Sequence, residues 1–109
     1  MAALTIAQLR EIELNKLIKI TGDEQKARNL MNRYYRLCGM DERLLYLEND
    51  ERTANRRSTQ ELSEKAQTAL DRLNQDFKPY GIKLQYFGYL PTITYIDNTS
   101  TAINSYFYQ

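Results

Sequence analysis

The charges of this chain are segregated along its length. Residues 1–78 carry 27 of the 29 charged side chains, whereas residues 79–109 carry only Lys83 and Asp97 yet hold eight of the twelve aromatic rings. A charged segment with apolar positions spaced three and four apart suits helices that bury one stripe. A nearly uncharged, ring-rich segment suits strands. The change falls at Pro79 and Gly81, residue types that interrupt regular structure. At 109 residues the chain has the length of a single domain, residues 1–109. Helices followed by strands, rather than alternating with them, point to an α+β fold. The expected architecture is three to four N-terminal helices in residues 1–78, packed on one face of a C-terminal three-stranded antiparallel β-meander in residues 79–109.

Within the helical part, Thr5 and Gln8 have the spacing of a capping box that opens helix one. Its apolar residues (Ile6, Leu9, Ile12, Leu14, Leu17, Ile18 and Ile20) span about 240° of a helical wheel, wider than the stripe of a simple surface helix. Such a helix packs from two sides or offers a second face to a partner. Glu13 falls inside that arc with Arg10 three residues before it; a rim ion pair is expected there ahead of a catalytic carboxylate. Gly22 is expected to end helix one, and Thr21 with Glu24 to cap helix two. Ala27, Leu30, Met31, Tyr34, Leu37 and Cys38 sustain a 3.6-residue period, which Gly39 is expected to stop. Asp41 then caps a short third helix through Leu44, Leu45 and Leu47. Residues 48–57 contain Ala54 as their only apolar residue and read as an exposed loop. Ser58 and Glu61 cap a fourth helix with one narrow apolar face, Leu62, Ala66, Ala69, Leu70, Leu73 and Phe77.

The tail alternates. Ile82, Leu84 and Tyr86 share one face and Lys83, Gln85 and Phe87 the other. Gly88 to Pro91 reads as a turn, Thr92 to Ile96 as a β-branched strand, Asp97 to Ser100 as a second turn, and residues 102–108 as a third strand.

Composition narrows the chemistry. The chain has no histidine and one cysteine, Cys38, so imidazole bases, imidazole metal ligands, internal disulfides and Cys-rich zinc sites are all absent. Its four glycines are single, which excludes a glycine-rich phosphate loop. The acidic residues Asp41, Glu42, Glu48, Asp50 and Glu51 lack calcium-loop spacing and are interspersed with arginines. No catalytic residue, metal ligand or cofactor is therefore assigned. The longest apolar run, Leu44 to Leu47, is far short of the roughly 20 residues of a membrane span. The first thirteen residues carry charge by Arg10 and do not read as a secretion signal. A cytoplasmic protein with no membrane partner is expected.

Two surfaces remain. The outer face of the sheet would carry Phe87, Ile96, Tyr106 and Tyr108 among uncharged neighbours. Aromatic enrichment with charge depletion is the composition of protein interfaces, and the last strand would be an edge open to a partner or a second copy. Helix two carries Lys26, Arg28, Arg33 and Arg36 opposite its apolar stripe, with no acid in residues 25–40, as a phosphate-contacting face would; Tyr35 at its edge suits base stacking. The net charge of +1 provides no global attraction for nucleic acid.

The stretches Thr21-Gly22-Asp23-Glu24-Gln25-Lys26-Ala27-Arg28 and Asn49-Asp50-Glu51-Arg52-Thr53-Ala54, with the Tyr-rich tail, resemble small accessory proteins of phages and mobile elements of Gram-positive bacteria. Anti-CRISPR and other host-takeover inhibitors are among these. The resemblance implies a protein without catalytic motifs that acts inside the bacterial host cell by covering a partner's surface; neutrality argues against DNA mimicry. The first expectation is a non-catalytic interaction protein that binds a protein partner, with a homodimer as one form of that binding. The second is a nucleic-acid-binding protein using the face of helix two. A histidine-free ribonuclease-like toxin is the remote third.

Overall fold

A computed structural model describes residues 3–95. It contains three helices, α1 (Ile6–Thr21), α2 (Glu24–Asn49) and α3 (Arg57–Phe77), a single 3-10 turn (Lys78–Tyr80), and two strands, β1 (Ile82–Phe87) and β2 (Leu90–Tyr95). The α+β class stands, with three helices followed by a two-stranded antiparallel sheet among the described residues. The expected third strand at residues 102–108 lies outside them.

Helix α1 begins as its sequence indicates. The Gln8 amide donates to Thr5 Oγ1 at 3.1 Å and the Thr5 amide to Gln8 Oε1 at 2.8 Å, the reciprocal bonds of a capping box. Gly22 closes the helix at φ 69°, its amide reaching the Ile18 carbonyl, a left-handed conformation that glycine adopts without a Cβ penalty. The next cap differs from expectation. Asp23, not Thr21, is the residue that caps α2, accepting from the Lys26 amide at 3.2 Å. Thr21 ends α1 and bonds back to the Leu17 carbonyl at 2.9 Å.

Gly39 does not stop helix two. α2 runs unbroken through it to Asn49, absorbing the expected third helix. A mid-helix glycine costs only about 1 kcal/mol relative to alanine, and Leu37 and Leu44, buried on either side of it, offset that cost many times over. Replacing Gly39 with alanine should therefore stabilise the protein by about 0.5–1 kcal/mol, read as a higher denaturant midpoint. A Cβ at this position meets nothing within 4 Å, so an unchanged or lower midpoint would contradict the helical placement.

The segment joining α2 to α3 is a bonded turn. The Ala54 amide donates to the Asp50 carbonyl at 2.8 Å. Thr53 Oγ1 donates to the Leu47 carbonyl and Thr59 Oγ1 to the Thr53 carbonyl, both at 2.7 Å. These bonds hold α2 and α3 as an antiparallel hairpin. The Ser58–Glu61 capping box is not formed: α3 starts two residues earlier than that box implies, at Arg57, behind Arg56, which contributes no side-chain cap.

β1 and β2 pair from Ile82↔Tyr95 to Phe87↔Leu90, joined by Gly88 and Tyr89. Gly88 has φ 69° and no non-glycine residue among those described has positive φ, as a type II′ hairpin turn with glycine first requires. Ile82 and Leu84 on β1 and Ile93 on β2 are buried against α2 and α3. Phe77, fully buried, sits with them, and so do Leu30, Met31, Tyr34, Leu37 and Leu73. Tyr34 donates its hydroxyl proton to the Pro91 carbonyl at 2.7 Å in the interior, and the Leu84 amide donates to Asn74 Oδ1 at 2.8 Å. Helices α2 and α3 carry the hairpin, while α1 packs chiefly along α2. Of the seven leucines and isoleucines in α1, only Leu17 is buried; Ile6 is 68% exposed.

Candidate functional site

The α2–α3 hairpin creates the site. Two helices packed side by side leave a furrow along their outer surface, and its walls are set by residues three, four and seven apart. On α2 the sequence places Arg33, Arg36, Met40 and Arg43 on that line; on α3 it places Leu62, Lys65, Ala69 and Arg72 with the same spacing. Because the helices run antiparallel, the two lines face each other across an open groove of about 790 Å³. Its middle consists of Gly39, Met40, Leu62 and Ala69. Its rims carry five cations: Arg33, Arg36 and Arg43 on one side, Lys65 and Arg72 on the other.

The electrostatics are one-signed. Arg33 is joined to Asp76 at 2.7 Å. No carboxylate among the described residues pairs with Arg36, Arg43, Lys65 or Arg72. Four positive charges therefore project along two parallel edges above an apolar floor. Like charges held this close raise the local concentration of anions, and the low-dielectric floor strengthens the effect.

Half of the basic face expected on helix two enters this groove. Arg33 and Arg36 line it. Lys26 instead lies over the ring of Tyr80, its Nζ 5.3 Å from the centroid. Arg28 pairs with Glu24 at 3.0 Å and lines a smaller cleft beside α1. Arg43, Lys65 and Arg72 complete the groove and were not singled out from the sequence. Lys65 and Arg72 recur one heptad apart on α3, a signal diluted by the neighbouring Glu61, Glu64 and Asp71.

Of the expected aromatic surface, Phe87 is 45% exposed at the end of β1, beside exposed Tyr86 and Tyr89. Ile96, Tyr106 and Tyr108 lie outside the described residues. Tyr86 donates to Asp41 Oδ2 at 2.7 Å, fixing its ring against α2 rather than leaving it on the open face.

A second cluster lies in the seam between α1 and α2. Glu13 is completely buried there, and neither carboxyl oxygen has a hydrogen-bond partner. Its expected ion-pair partner, Arg10, lies over the ring of Tyr35 at 4.5 Å. The rim ion pair is thus replaced by a cation–π contact and an orphaned acid, because the Tyr35 face holds the guanidinium outside the seam while Glu13 points into it. Burial pushes the Glu13 carboxyl up to about 8, against the opposing pull of Lys16. Burial likewise raises the nearby Cys38 thiol to about 11 and the Tyr35 hydroxyl to about 12. Near neutral pH the cluster holds its protons: Cys38 is a thiol rather than a nucleophilic thiolate, and the Glu13 carboxyl is shielded from solvent. No group of three or more potential metal ligands occurs among the described residues, and no helix among them is long and apolar enough to cross a membrane.

No protein-family model, curated protein or solved structure matches this chain.

Proposed function

We propose that this chain is a non-catalytic interaction protein that docks a protein partner in the groove between α2 and α3. The observation that carries this reading is the pairing of a cationic rim, with four side chains lacking carboxylate partners, with an apolar floor. Exposed apolar surface framed by charge is what a folded protein retains where another molecule covers it. The seclusion of Glu13 and the protonated state of Cys38 support a role without chemistry. The inhibitor role implied by the resemblance to phage accessory proteins is the form such docking takes when the partner's covered surface is a working one. A second reading, nucleic-acid binding, draws on the convergence of Arg33 and Arg36 with three further cations in one groove.

A photo-cross-linking residue at Gly39, compared with one at Glu64, which lines a different cleft, tests the assignment in the native cell. A protein adduct from position 39 and none from position 64 is the expected result. A nucleic-acid adduct from position 39 transfers the groove to the second reading. Adducts from neither position, or equally from both, remove the groove as the docking surface.

A further inference from the structure

We infer that the groove receives an acidic amphipathic helix of about three turns, presented by the protein partner. This rests on the reading of the α2–α3 groove as the docking surface, and it names the occupant.

The dimensions come first. From Arg33 to Arg43 on α2, and from Leu62 to Arg72 on α3, the walls run for ten residue steps, about 15 Å at the helical rise. That length matches about three turns of a third helix laid along the furrow, which would anchor through apolar residues at i, i+3 or i+4, and i+7.

The floor comes second. Gly39 sits in the middle of α2 in helical conformation, and a Cβ built on it meets no atom within 4 Å. Close packing of this protein's own chain does not require a glycine here. Its missing side chain instead deepens the groove midway between Arg36 and Arg43, where an incoming side chain needs room. Half-buried Met40, Leu62 and Ala69 continue the floor, and methionine adapts its shape to what it meets.

The rims come third. Cations on both edges call for carboxylates on both flanks of the occupant's apolar stripe, the charge pattern of an acidic amphipathic helix. The same pattern disfavours nucleic acid: no aromatic ring lines the groove, so unpaired bases find no stacking platform, and a phosphate backbone gains nothing from the apolar floor.

A labelled peptide of about twelve residues, with leucines at helical spacing and glutamates on both flanks, is the direct probe, titrated against the full chain by fluorescence anisotropy. Binding is expected. Gly39→Leu fills the floor while keeping every charge and should weaken binding about tenfold or more; Arg36→Glu combined with Arg72→Glu should do the same. Circular dichroism and thermal unfolding establish that each variant is folded, and Gly39→Leu is expected to fold because leucine favours helix over glycine. The comparison probes are the same residues scrambled to destroy the stripe, polyglutamate, and short RNA and DNA duplexes. The inference is overturned if scrambled peptide or polyglutamate binds as tightly as the helix, or if Gly39→Leu binds the helical peptide unchanged. RNA or DNA binding without peptide binding overturns the inference but leaves the groove as a docking site. Binding by none of the probes overturns the inference, and cross-linking at Gly39 then decides separately whether the groove docks anything.

Discussion

Removing the charge of Glu13 should abolish most of the pH dependence of folding between about pH 5 and 8. In the unfolded chain this carboxyl titrates near 4.5; buried without a partner it titrates near 8. Between those values the folded state keeps a proton that the unfolded state has lost. Stability is therefore highest at the acidic end of the window, falls as pH rises through it at up to about 1.4 kcal/mol per pH unit, and levels off above about 8. The loss at neutral pH is about 3 kcal/mol, a sizeable part of the 5–15 kcal/mol typical of a domain. Lys16 acts in the opposite direction without reversing the shift, and the surrounding Tyr35 and Cys38 groups titrate above the window. Glu13→Gln should unfold in urea with a nearly flat dependence on pH across this range. Glu13→Met, which also removes the buried polar atoms, should exceed the parent in stability at pH 8, with a rise in Tm on the order of 10 °C. A parent protein whose stability rises with pH, or a Glu13→Gln variant with the parent's slope, would show that the carboxyl is not buried alone.

Truncating Phe77 to alanine should cost about 3–5 kcal/mol. Phe77 ends α3 and is the largest of the fully buried side chains. It packs where α3, the 3-10 turn and β1 converge, so its removal opens a cavity at the joint through which α3 carries the hairpin. The backbone around it is held by the Asn74–Leu84 bond, which limits how far the site collapses to fill the gap. Equilibrium urea unfolding should show a lower midpoint with an unchanged slope; Phe77→Leu, which keeps more of the volume, should lose markedly less. A loss below about 1 kcal/mol for Phe77→Ala would be incompatible with this packing.

Local signals were legible where one short-range interaction decides the outcome. The Thr5–Gln8 box, the helix stop at Gly22, the break at Pro79 and Gly81, and the alternation of Ile82 and Leu84 all act within a few residues, and each holds in the fold. Legibility failed where long-range burial competes with a local preference. Gly39 resembles a helix stop, but the buried stripe passing through it from Leu37 to Leu44 decides otherwise. Asp23 and Thr21 are both competent caps, and only the path of the chain between α1 and α2 chooses between them. Glu13 was visible inside the apolar arc, yet a partner for Arg10 on another helix, the ring of Tyr35, is invisible to a wheel drawn for helix one alone. The groove was half legible for the same reason. Its α2 wall appears as a run without acids, whereas Lys65 and Arg72 gain their meaning only when α3 lies beside α2.

The hairpin has a further property that follows from two bonds already described. In a two-residue hairpin the closing pair, Phe87 and Leu90, exchanges hydrogen bonds, so Leu84 on one strand and Pro91 on the other turn their backbone groups outward. Outward-facing amides and carbonyls are where a foreign strand would add. At Leu84 the amide is already taken by Asn74; at Pro91 there is no amide to offer, and the carbonyl is taken by Tyr34. The core helices thus reach over both margins of the hairpin and occupy the groups that would otherwise template aggregation at those two positions.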